Sequence, residues 1–235
     1  MPAVPIKPVT KPAPPRPAGP GRPKDLGKRA AILVAATQMF TSQGYEGTSM
    51  DQIAASAGVS KLTVYSHFGD KEALFAAVVR AHCETQLPDA LFAPTPGTAL
   101  RDRLLAIARG FYAMINTPES VAGHRMLCTP QLAGSALSRL FWEAGPQRVH
   151  DAFAALLVRR IQAGELAIDD VPRAAGQFFA LLKGEPHARR VFGCCEGEPA
   201  PAIEAHLVAA VDMFLRAYVV RDAASAPRGS RRRTA

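Results

Sequence analysis

The stretch GYEGTSMDQIAASAGVSKLTVYSHFGDKEALF, residues 44–75, decides the fold because it divides into short helical segments separated by turn signals. Ser49 is placed to cap the first segment, and Gln52 three residues later completes a capping box. After the break at AGVS, Ser60 is placed to cap the next segment. The pattern predicts a helix-turn-helix motif over residues 49–68, in which the second helix enters a groove of DNA.

The second helix of this motif has a short, mostly uncharged outer face. When Val64 and Phe68 point to the core, the rotation of about 100° per residue turns the intervening side chains outward. Such a face suits the reading of base edges better than simple solvation, for which Glu and Lys at helical pair spacing are expected. The outer face and its flanks consist of Lys61, Leu62, Thr63, Tyr65 and Ser66.

Outward from this stretch, apolar residues recur at helical spacing along most of the chain, and no run alternates as a strand does. The sequence therefore predicts an all-α protein, with a helix-turn-helix domain followed by a larger helical domain. The predicted helices outside the motif are 26–43, ending at Gly44, then 71–79, 100–116, 120–127, 132–142, 147–163, 171–182 and 202–220.

Charge and composition divide the 235-residue chain into four parts. We predict a disordered Pro-rich basic arm over 1–25, the DNA-binding domain over 26–86, a ligand-binding and dimerisation domain over 87–222, and a disordered Arg-rich tail over 223–235. Of the net charge of +8, the tail supplies four Arg and no acid, and residues 1–29 carry seven Lys or Arg against one Asp. The remaining residues hold 17 bases and 19 acids, so the basic character belongs to the two ends.

Several functional classes are excluded by what the sequence lacks. It has no apolar run of about 20 residues that would span a bilayer and no apolar segment typical of a signal peptide, so we expect a cytoplasmic protein without a membrane partner. Its four cysteines show no CxxC spacing, so we expect no metal site and no disulfide framework. No GxSxG, HExxH, GxxxxGK[ST] or GxGxxG motif is present, so we expect neither an enzyme nor a cofactor.

Three motifs carry a resemblance to a known family. GYEGTSMDQIA at 44–54, AGVSKLTVYSHF at 57–68 and DKEALF at 70–75 follow one another in the order and register of the TetR-family transcriptional regulators. The segment from Ala30 to Val79 resembles their DNA-binding domain. The resemblance implies a ligand-responsive repressor that binds a palindromic double-stranded DNA operator as a homodimer and responds to an unknown small-molecule effector.

The resemblance also implies roles for individual residues. Residues at the start of the first helix of the motif would contact phosphate, the outer face of the second helix would contact bases, and a basic arm would reach the minor groove or the backbone. Leu62 is either a contact to a thymine methyl group or a merely tolerated exposed residue. The implied DNA-binding residues are Arg22, Lys24, Thr48, Ser49, Ser60, Lys61, Leu62, Thr63, Tyr65, His67 and Lys71.

The later helices resemble one subgroup of that family, the regulators with an AefR-like C-terminal domain. RMLCTP at 125–130, LFWEAGPQRV at 140–149, GELAIDD at 164–170 and QFFALLKGE at 177–185 carry this resemblance. In the family, the middle helices enclose a ligand pocket, although residues of these types also form ordinary core. The candidate pocket residues are Phe111, Met114, His124, Met126, Phe141 and Trp142.

The last two predicted helices are candidates for the dimer interface, since late helices of the family pair across the two-fold axis. Intramolecular core is the alternative, and periodicity does not separate the two. The candidate interface residues are Phe178, Phe179, Leu182, Leu207, Val211, Phe214 and Tyr218.

Two further hypotheses remain open at the level of the sequence. In the first, the adjacent Cys194 and Cys195 make the regulator thiol-responsive, although the acidic context GCCEGE disfavours thiolate formation. In the second, the chain is a helical scaffold that does not bind DNA.

Overall fold

The structure is a computed structural model that describes residues 25–94, 97–195 and 197–220. Over these ranges the chain folds into α-helices joined by short connections. The described residues contain no strand beyond one isolated antiparallel bridge between Leu166 and Val219. The prediction of an all-α fold is confirmed.

Ten α-helices follow one another in the described part of the chain, with one 3₁₀ turn and one π-helical turn between them. They are α1 (Leu26–Gly47), α2 (Met50–Ser56), α3 (Lys61–Phe68), α4 (Lys71–Gln86), the 3₁₀ turn Asp89–Leu91, α5 (Leu100–Ile115), α6 (Pro118–Leu127), α7 (Ala136–Trp142), the π-helical turn Glu143–Gln147, α8 (Arg148–Gln162), α9 (Val171–Phe192) and α10 (Ala200–Tyr218).

The predicted helix caps are confirmed. Ser49 and Gln52 form the capping box of α2, with the backbone N–H of Ser49 donating to Gln52 Oε1 over 2.8 Å. Ser60 Oγ accepts a hydrogen bond from the backbone N–H of Thr63 at the start of α3, and Asp70 caps α4 in the same way over 2.7 Å. Each cap stabilises its helix by about 1 kcal/mol, which matters for helices as short as α2 and α3.

The first four helices pack around an apolar cluster in which Ile32, Ile53, Val64 and Leu74 are fully buried. This cluster is completed from a distant part of the sequence, because Leu137 of α7 belongs to it. The N-terminal unit is therefore not closed by its own residues. Helix α7 covers it, and α4 continues from it into the larger core.

The second core lies among α5, α8, α9 and α10, and it contains most residues that were predicted at a dimer interface. The structure contradicts that prediction. A side chain that is already buried in its own chain has no surface left to bury against a second copy. Tyr218 is half-buried, and its hydroxyl donates to Gln177 Oε1 over 2.8 Å. The six with only 0–2% exposure are Phe178, Phe179, Leu182, Leu207, Val211 and Phe214.

Helix α9 runs well past Leu182, where its end was predicted, and it is kinked at Gly184, whose φ is 49°. The kink has a specific cause. The carbonyl of Leu182 lacks its usual helical donor because Pro186 has no backbone N–H. His206 of α10 replaces that donor, with Nε2 donating to the carbonyl oxygen of Leu182 over 3.0 Å.

Candidate nucleic-acid interface and internal cavity

The outer face of α3 is open to solvent and carries few groups. Leu62 is 78% exposed and Tyr65 41% exposed, whereas Val64 on the opposite side is completely buried. One helix with side chains of this size fits the major groove of B-DNA, which is about 12 Å wide. The predicted division of α3 into a core face and an outer face is therefore present in the structure.

Lys61 is held against the neighbouring helix. Its Nζ lies 2.9 Å from Oδ2 of Asp51 in the first turn of α2, and this hydrogen-bonded ion pair raises the pKa of Lys61. The same Nζ lies 6.0 Å from the centroid of the Tyr65 ring. The cation is thus fixed between α2 and α3, and a carboxylate sits on the same surface.

Ser60 and Thr63 bond to each other at the start of α3. Their hydroxyl oxygens are 2.8 Å apart, and Ser60 Oγ also accepts the N–H of Thr63. Thr63 is half-buried and Ser60 is exposed. Both hydroxyls therefore have a role in starting the helix before any DNA is present.

At the start of α2, Ser49 is exposed but Thr48 is not. Only 2% of Thr48 is accessible, and its hydroxyl donates to the carbonyl oxygen of Gly44 over 2.8 Å. The Thr48 hydroxyl is thus not available to a phosphate, and the predicted phosphate contact at this position would have to come from a backbone N–H at the start of α2. The hydroxyl is used inside the chain, where α1 departs from helical geometry at Gly44.

The two predicted backbone contacts beyond α3 lie close to aromatic rings. Lys71 Nζ is 4.2 Å from the centroid of the Tyr45 ring, a distance typical of a cation–π contact. His67 is half-buried, and within the described residues its buried Nδ1 has no hydrogen-bond partner. A phosphate would thus have to be met by the other ring nitrogen of His67.

Arg22 and Lys24 lie outside the described residues. Arg29, in the first turns of α1, has its guanidinium carbon 5.2 Å from the centroid of the Phe68 ring at the end of α3. Arg29 was not among the predicted DNA-binding residues. The signal was its place in a basic run that leads directly into an apolar helix.

A cavity of about 290 Å³ lies between the N-terminal helices and the larger helical unit. The structure places all six candidate pocket residues on its wall, with Trp142 partly open to solvent. Several of them also belong to the core, so both readings of these residues hold at once. The six are Phe111, Met114, His124, Met126, Phe141 and Trp142.

Part of the cavity wall comes from the helices that precede the larger unit. Phe40 of α1 and Phe75, Val78 and Val79 of α4 all line it. None of these four residues was among the predicted pocket residues. Nothing local in the sequence could have found this role, because it depends on how α4 packs against α5 and α6.

The cavity wall also carries polar side chains. His82 Nε2 lies 2.9 Å from Ser120 Oγ, and that hydroxyl donates to the carbonyl oxygen of Met114 over 2.7 Å. Burial lowers the pKa of both His124 and His150. Both imidazoles are therefore neutral at pH 7.

Among the described residues, Lys183 is the one Lys or Arg on the cavity wall, and it was not among the predicted pocket residues. Part of its side chain is exposed, yet the surrounding protein withdraws the ammonium group from water and lowers its pKa. Its positive charge also contributes to the lowered pKa values of His124 and His150. These three groups therefore lie close enough to influence one another.

Comparison with known proteins identifies the family. Residues 32–78 match the family described as bacterial regulatory proteins, tetR family. Residues 102–220 match the AefR-like transcriptional repressor C-terminal domain. The chain belongs to the TetR family. Its helix-turn-helix motif is that of a DNA-binding transcriptional regulator, as the resemblance implied.

Relatives of this TetR-family protein include solved structures and curated proteins. The flavonoid-responsive regulator FrrA is 36% identical, with a TM-score of 0.66, over 83% of this chain and 98% of that one. A TetR-family regulator from Mesorhizobium loti is 30% identical, with a TM-score of 0.68, over 82% and 97%. The transcriptional activator FasR of Mycolicibacterium smegmatis is 35% identical over 48% of this chain, which spans 52% of FasR.

The four cysteines of this TetR-family protein all lie outside α2 and α3. Cys83 lines the cavity, and burial raises the pKa of its thiol to about 11, so it is unreactive. Cys128 is exposed after α6. Beyond the end of α9, Cys194 is exposed and Cys195 is half-buried.

The described residues contain neither a metal-binding cluster nor a membrane-spanning helix. Across 25–94, 97–195 and 197–220, no group of three or more His, Cys, Asp or Glu side chains is placed to hold a metal ion. Among the helices in the same ranges, none combines the length and the apolar character needed to cross a bilayer.

Proposed function

We propose that this TetR-family regulator is a ligand-responsive repressor that acts on DNA in the cytoplasm. It binds a palindromic operator as a homodimer and releases it when a small-molecule effector fills the cavity. One observation carries the proposal: the cavity is walled both by α1 and α4, which pack against the DNA-reading helix, and by helices α5 to α9 of the larger unit.

Helix α4 is the element that both sites share. Gly69 and Asp70 separate it from α3. Five of its side chains line the cavity: Phe75, Val78, Val79, His82 and Cys83. It also packs tightly against the π-helical turn, since a Cβ on Gly145 of that turn would lie 2.9 Å from Val79. An effector that prefers a different position of α4 would move α3 and lower operator affinity by its difference in affinity for the two positions.

Each side chain on or near α3 is assigned a DNA contact according to the groups that it has available to make one. Base contacts are assigned to the outer face of α3, and phosphate contacts to groups around it. Arg22 and Lys24 stay assigned to the arm as predicted, and Arg29 joins the phosphate contacts because of its place beside Phe68. The base-contacting residues are Lys61, Leu62, Thr63 and Tyr65, and the remaining phosphate-contacting residues are Ser49, Ser60, His67 and Lys71.

The dimer interface is proposed on the outer faces of α9 and α10 in place of the buried residues. Ala180 of α9 is exposed, and so are Ala205, Ala209 and Met213 along one side of α10. Met213 is 51% exposed, which is unusual for a large apolar side chain in a helix interior. Small side chains around one large apolar residue let two helix pairs approach closely across a two-fold axis.

The effector is proposed to be an aromatic molecule. FrrA, which aligns with most of this chain, is described as flavonoid-responsive. The cavity wall here contains the rings of Phe40, Phe75, Phe111, Phe141 and Trp142. Aromatic rings favour aromatic ligands through edge-to-face and offset contacts.

The proposal is tested by selecting binding sites from a random duplex DNA library and measuring affinity for the selected site by fluorescence anisotropy. A palindromic site and about tenfold or greater loss of affinity in Lys61→Ala support it. Arg173→Ala is the matched control, since Arg173 is an exposed cation on α9, away from α3. Failure of the selection to enrich any site contradicts the proposal.

The dimer and the direction of regulation need separate measurements. Met213→Asp should convert the protein to monomers in sedimentation analysis and should lower affinity for the full palindrome more than for a half-site. Transcription in vitro from a promoter carrying the selected site should fall when the protein is added. An increase would instead make this protein an activator, as FasR is.

A further inference from the structure

The two charged side chains of the cavity wall are not paired with each other. Among the described residues that line it, Lys183 is the one Lys or Arg and Glu119 the one Asp or Glu. Glu119 is exposed in the first turn of α6, where it complements the helix dipole. Within the described part of the chain, no carboxylate lies within ion-pair distance of Lys183. The cavity therefore offers a cation without a protein counter-ion.

The kink in α9 holds Lys183 at this position. Lys183 immediately precedes Gly184, and the backbone there is fixed by the hydrogen bond from His206 to the carbonyl oxygen of Leu182. A Cβ at Gly184 would lie 2.7 Å from Cε1 of His206, so α9 and α10 are in direct contact at the kink. The base of the Lys183 side chain is thus attached to a rigid junction rather than to a flexible loop.

Two neutral imidazoles share the cavity wall with Lys183. His124 and His150 line the same cavity, and their pKa values are lowered by burial and by the charge of Lys183. The ring of His124 is 6.1 Å from that of Phe141, and the ring of His150 is 5.8 Å from that of Trp142, measured between centroids. Hydrogen-bonding groups and flat apolar surfaces therefore alternate along this part of the wall.

We propose that the cavity binds an aromatic organic anion, with its acidic group paired to the Lys183 ammonium and hydrogen-bonded by His124 or His150, and its ring system between Phe141 and Trp142. This inference names the class of effector and rests on the proposed function. An anion supplies the counter-ion that Lys183 lacks, whereas a cation would be repelled by its charge. The aromatic body buries its faces against the ring-lined wall.

The test compares 2-naphthoate with its neutral analogue 2-naphthamide by isothermal titration calorimetry at neutral pH, where the carboxyl group is ionised. Both molecules have the same fused rings, so the difference in affinity reports the charge. We expect naphthoate to bind at least about tenfold more tightly than naphthamide. Trp142 is the single tryptophan of the chain and lines the cavity, so quenching of its emission gives a second readout.

Variants of Lys183 make the assignment specific. Lys183→Met should weaken naphthoate binding by about tenfold or more and leave naphthamide binding unchanged, whereas Lys183→Arg should retain most of the preference for the anion. Arg173→Gln on the same helix is the matched control for loss of one positive charge and should bind as wild type does. Helical circular dichroism and the Tm of each variant check that it is folded.

The opposing outcomes are distinct. Absence of naphthoate binding overturns the proposal, and so does equal affinity for the acid and the amide, binding that survives in Lys183→Met, or tighter binding of decanoate than of naphthoate. Naphthoate binding that depends on Lys183 but leaves operator affinity unchanged supports the site and contradicts the effector role in the proposed function. The two proposals therefore fail in different measurements.

Discussion

The outer face of α3 and the cavity beneath it differ in how they are built. The α3 face comes from eight consecutive residues, and its exposed groups, led by Leu62 and Tyr65, have little contact with the rest of the protein. The cavity is assembled from α1 and from α4 to α9, and most of its wall residues are half-buried or buried. The α3 face is formed by a single short helix, whereas the cavity exists only when distant helices are packed.

This difference implies that the two regions respond to mutation in different ways. Side chains on the α3 face do not hold the fold together, so their replacement should change DNA binding and leave stability alone. Residues around the cavity belong to the core or lie next to the kink of α9, so their replacement should change stability or ligand binding. The following predictions run from the largest expected effect to the smallest, and each tests this separation.

Gly184→Ala should lower the free energy of unfolding by about 2–4 kcal/mol. At φ 49° and ψ −164° the backbone of Gly184 is in a region reserved for glycine, and the new Cβ would meet His206 at 2.7 Å. Denaturant titration followed by circular dichroism measures the change. Gly176→Ala on the same helix is the matched control, since nothing lies within 4 Å of its Cβ, and it should stabilise by about 0.5–1 kcal/mol. Equal stability of the two variants would contradict the kink as described.

Tyr65→Ala should weaken binding to the selected operator by about ten- to a hundredfold without lowering the Tm. The ring is 41% exposed and lies 6.0 Å from Lys61 Nζ, so we expect it to contact DNA rather than to support the core. Fluorescence anisotropy and thermal unfolding measure the two properties. Tyr65→Phe then separates the ring from its hydroxyl, and Phe192→Ala, at an 80% exposed ring on α9, is the matched control. A fall in Tm as large as that of a core substitution would show that the α3 face is not separate from the fold.

Lowering the pH from about 6.5 to about 5 should reduce stability, and His187→Gln should reduce that dependence. Burial lowers the pKa of His187 to about 4, and its Nδ1 donates to Asn116 Oδ1 over 3.1 Å. The unfolded chain, with an ordinary histidine pKa near 6.5, takes up the proton first, so the folded state loses stability as the pH falls. Tm measured across this range should fall about 2–4 °C less in the variant. His124 and His150, whose pKa values are also lowered, leave a residual slope; identical slopes in both proteins would count against the buried neutral state of His187.

Asp51→Asn should strengthen binding to DNA of any sequence by about two- to fivefold. The change removes the carboxylate that holds Lys61 at 2.9 Å and takes one negative charge from the DNA-facing surface. Anisotropy on the operator and on an unrelated duplex measures the effect. The control is Asp102→Asn, which removes an exposed carboxylate from α5, away from α3. Affinity that is unchanged on both duplexes, or raised equally by the control, would mean that the Lys61–Asp51 pair does not restrain binding.

The α3 region could be predicted from the sequence because its determinants are local. Ser49, Ser60 and Asp70 each cap a helix by bonding a backbone N–H within three residues, so short sequence patterns report them. Thr48 shows the limit of such reasoning. It stands beside Ser49 in the motif, but the bend of α1 at Gly44 turns its hydroxyl inward.

The late helices show a second limit. Periodicity identified the apolar face of α9 and α10 correctly, yet it could not tell whether that face meets the same chain or another one. Phe178 and Phe214 turn out to be fully enclosed by their own chain. The length of α9 was also underestimated, because KGEP at 183–186 is typical of a helix end and the hydrogen bond that bridges the kink comes from His206.

The sequence by itself determined the all-α fold, the helix-turn-helix motif and the chemical types of the cavity residues, because caps, breaks and apolar spacing act over a few neighbouring residues. Tertiary structure alone decided that α1 and α4 wall the same cavity as α5 to α9. It also decided that Lys183 enters that wall and that six expected interface residues are core. These features depend on contacts between residues far apart in the chain, and which distant faces meet is set by the packing of the whole molecule.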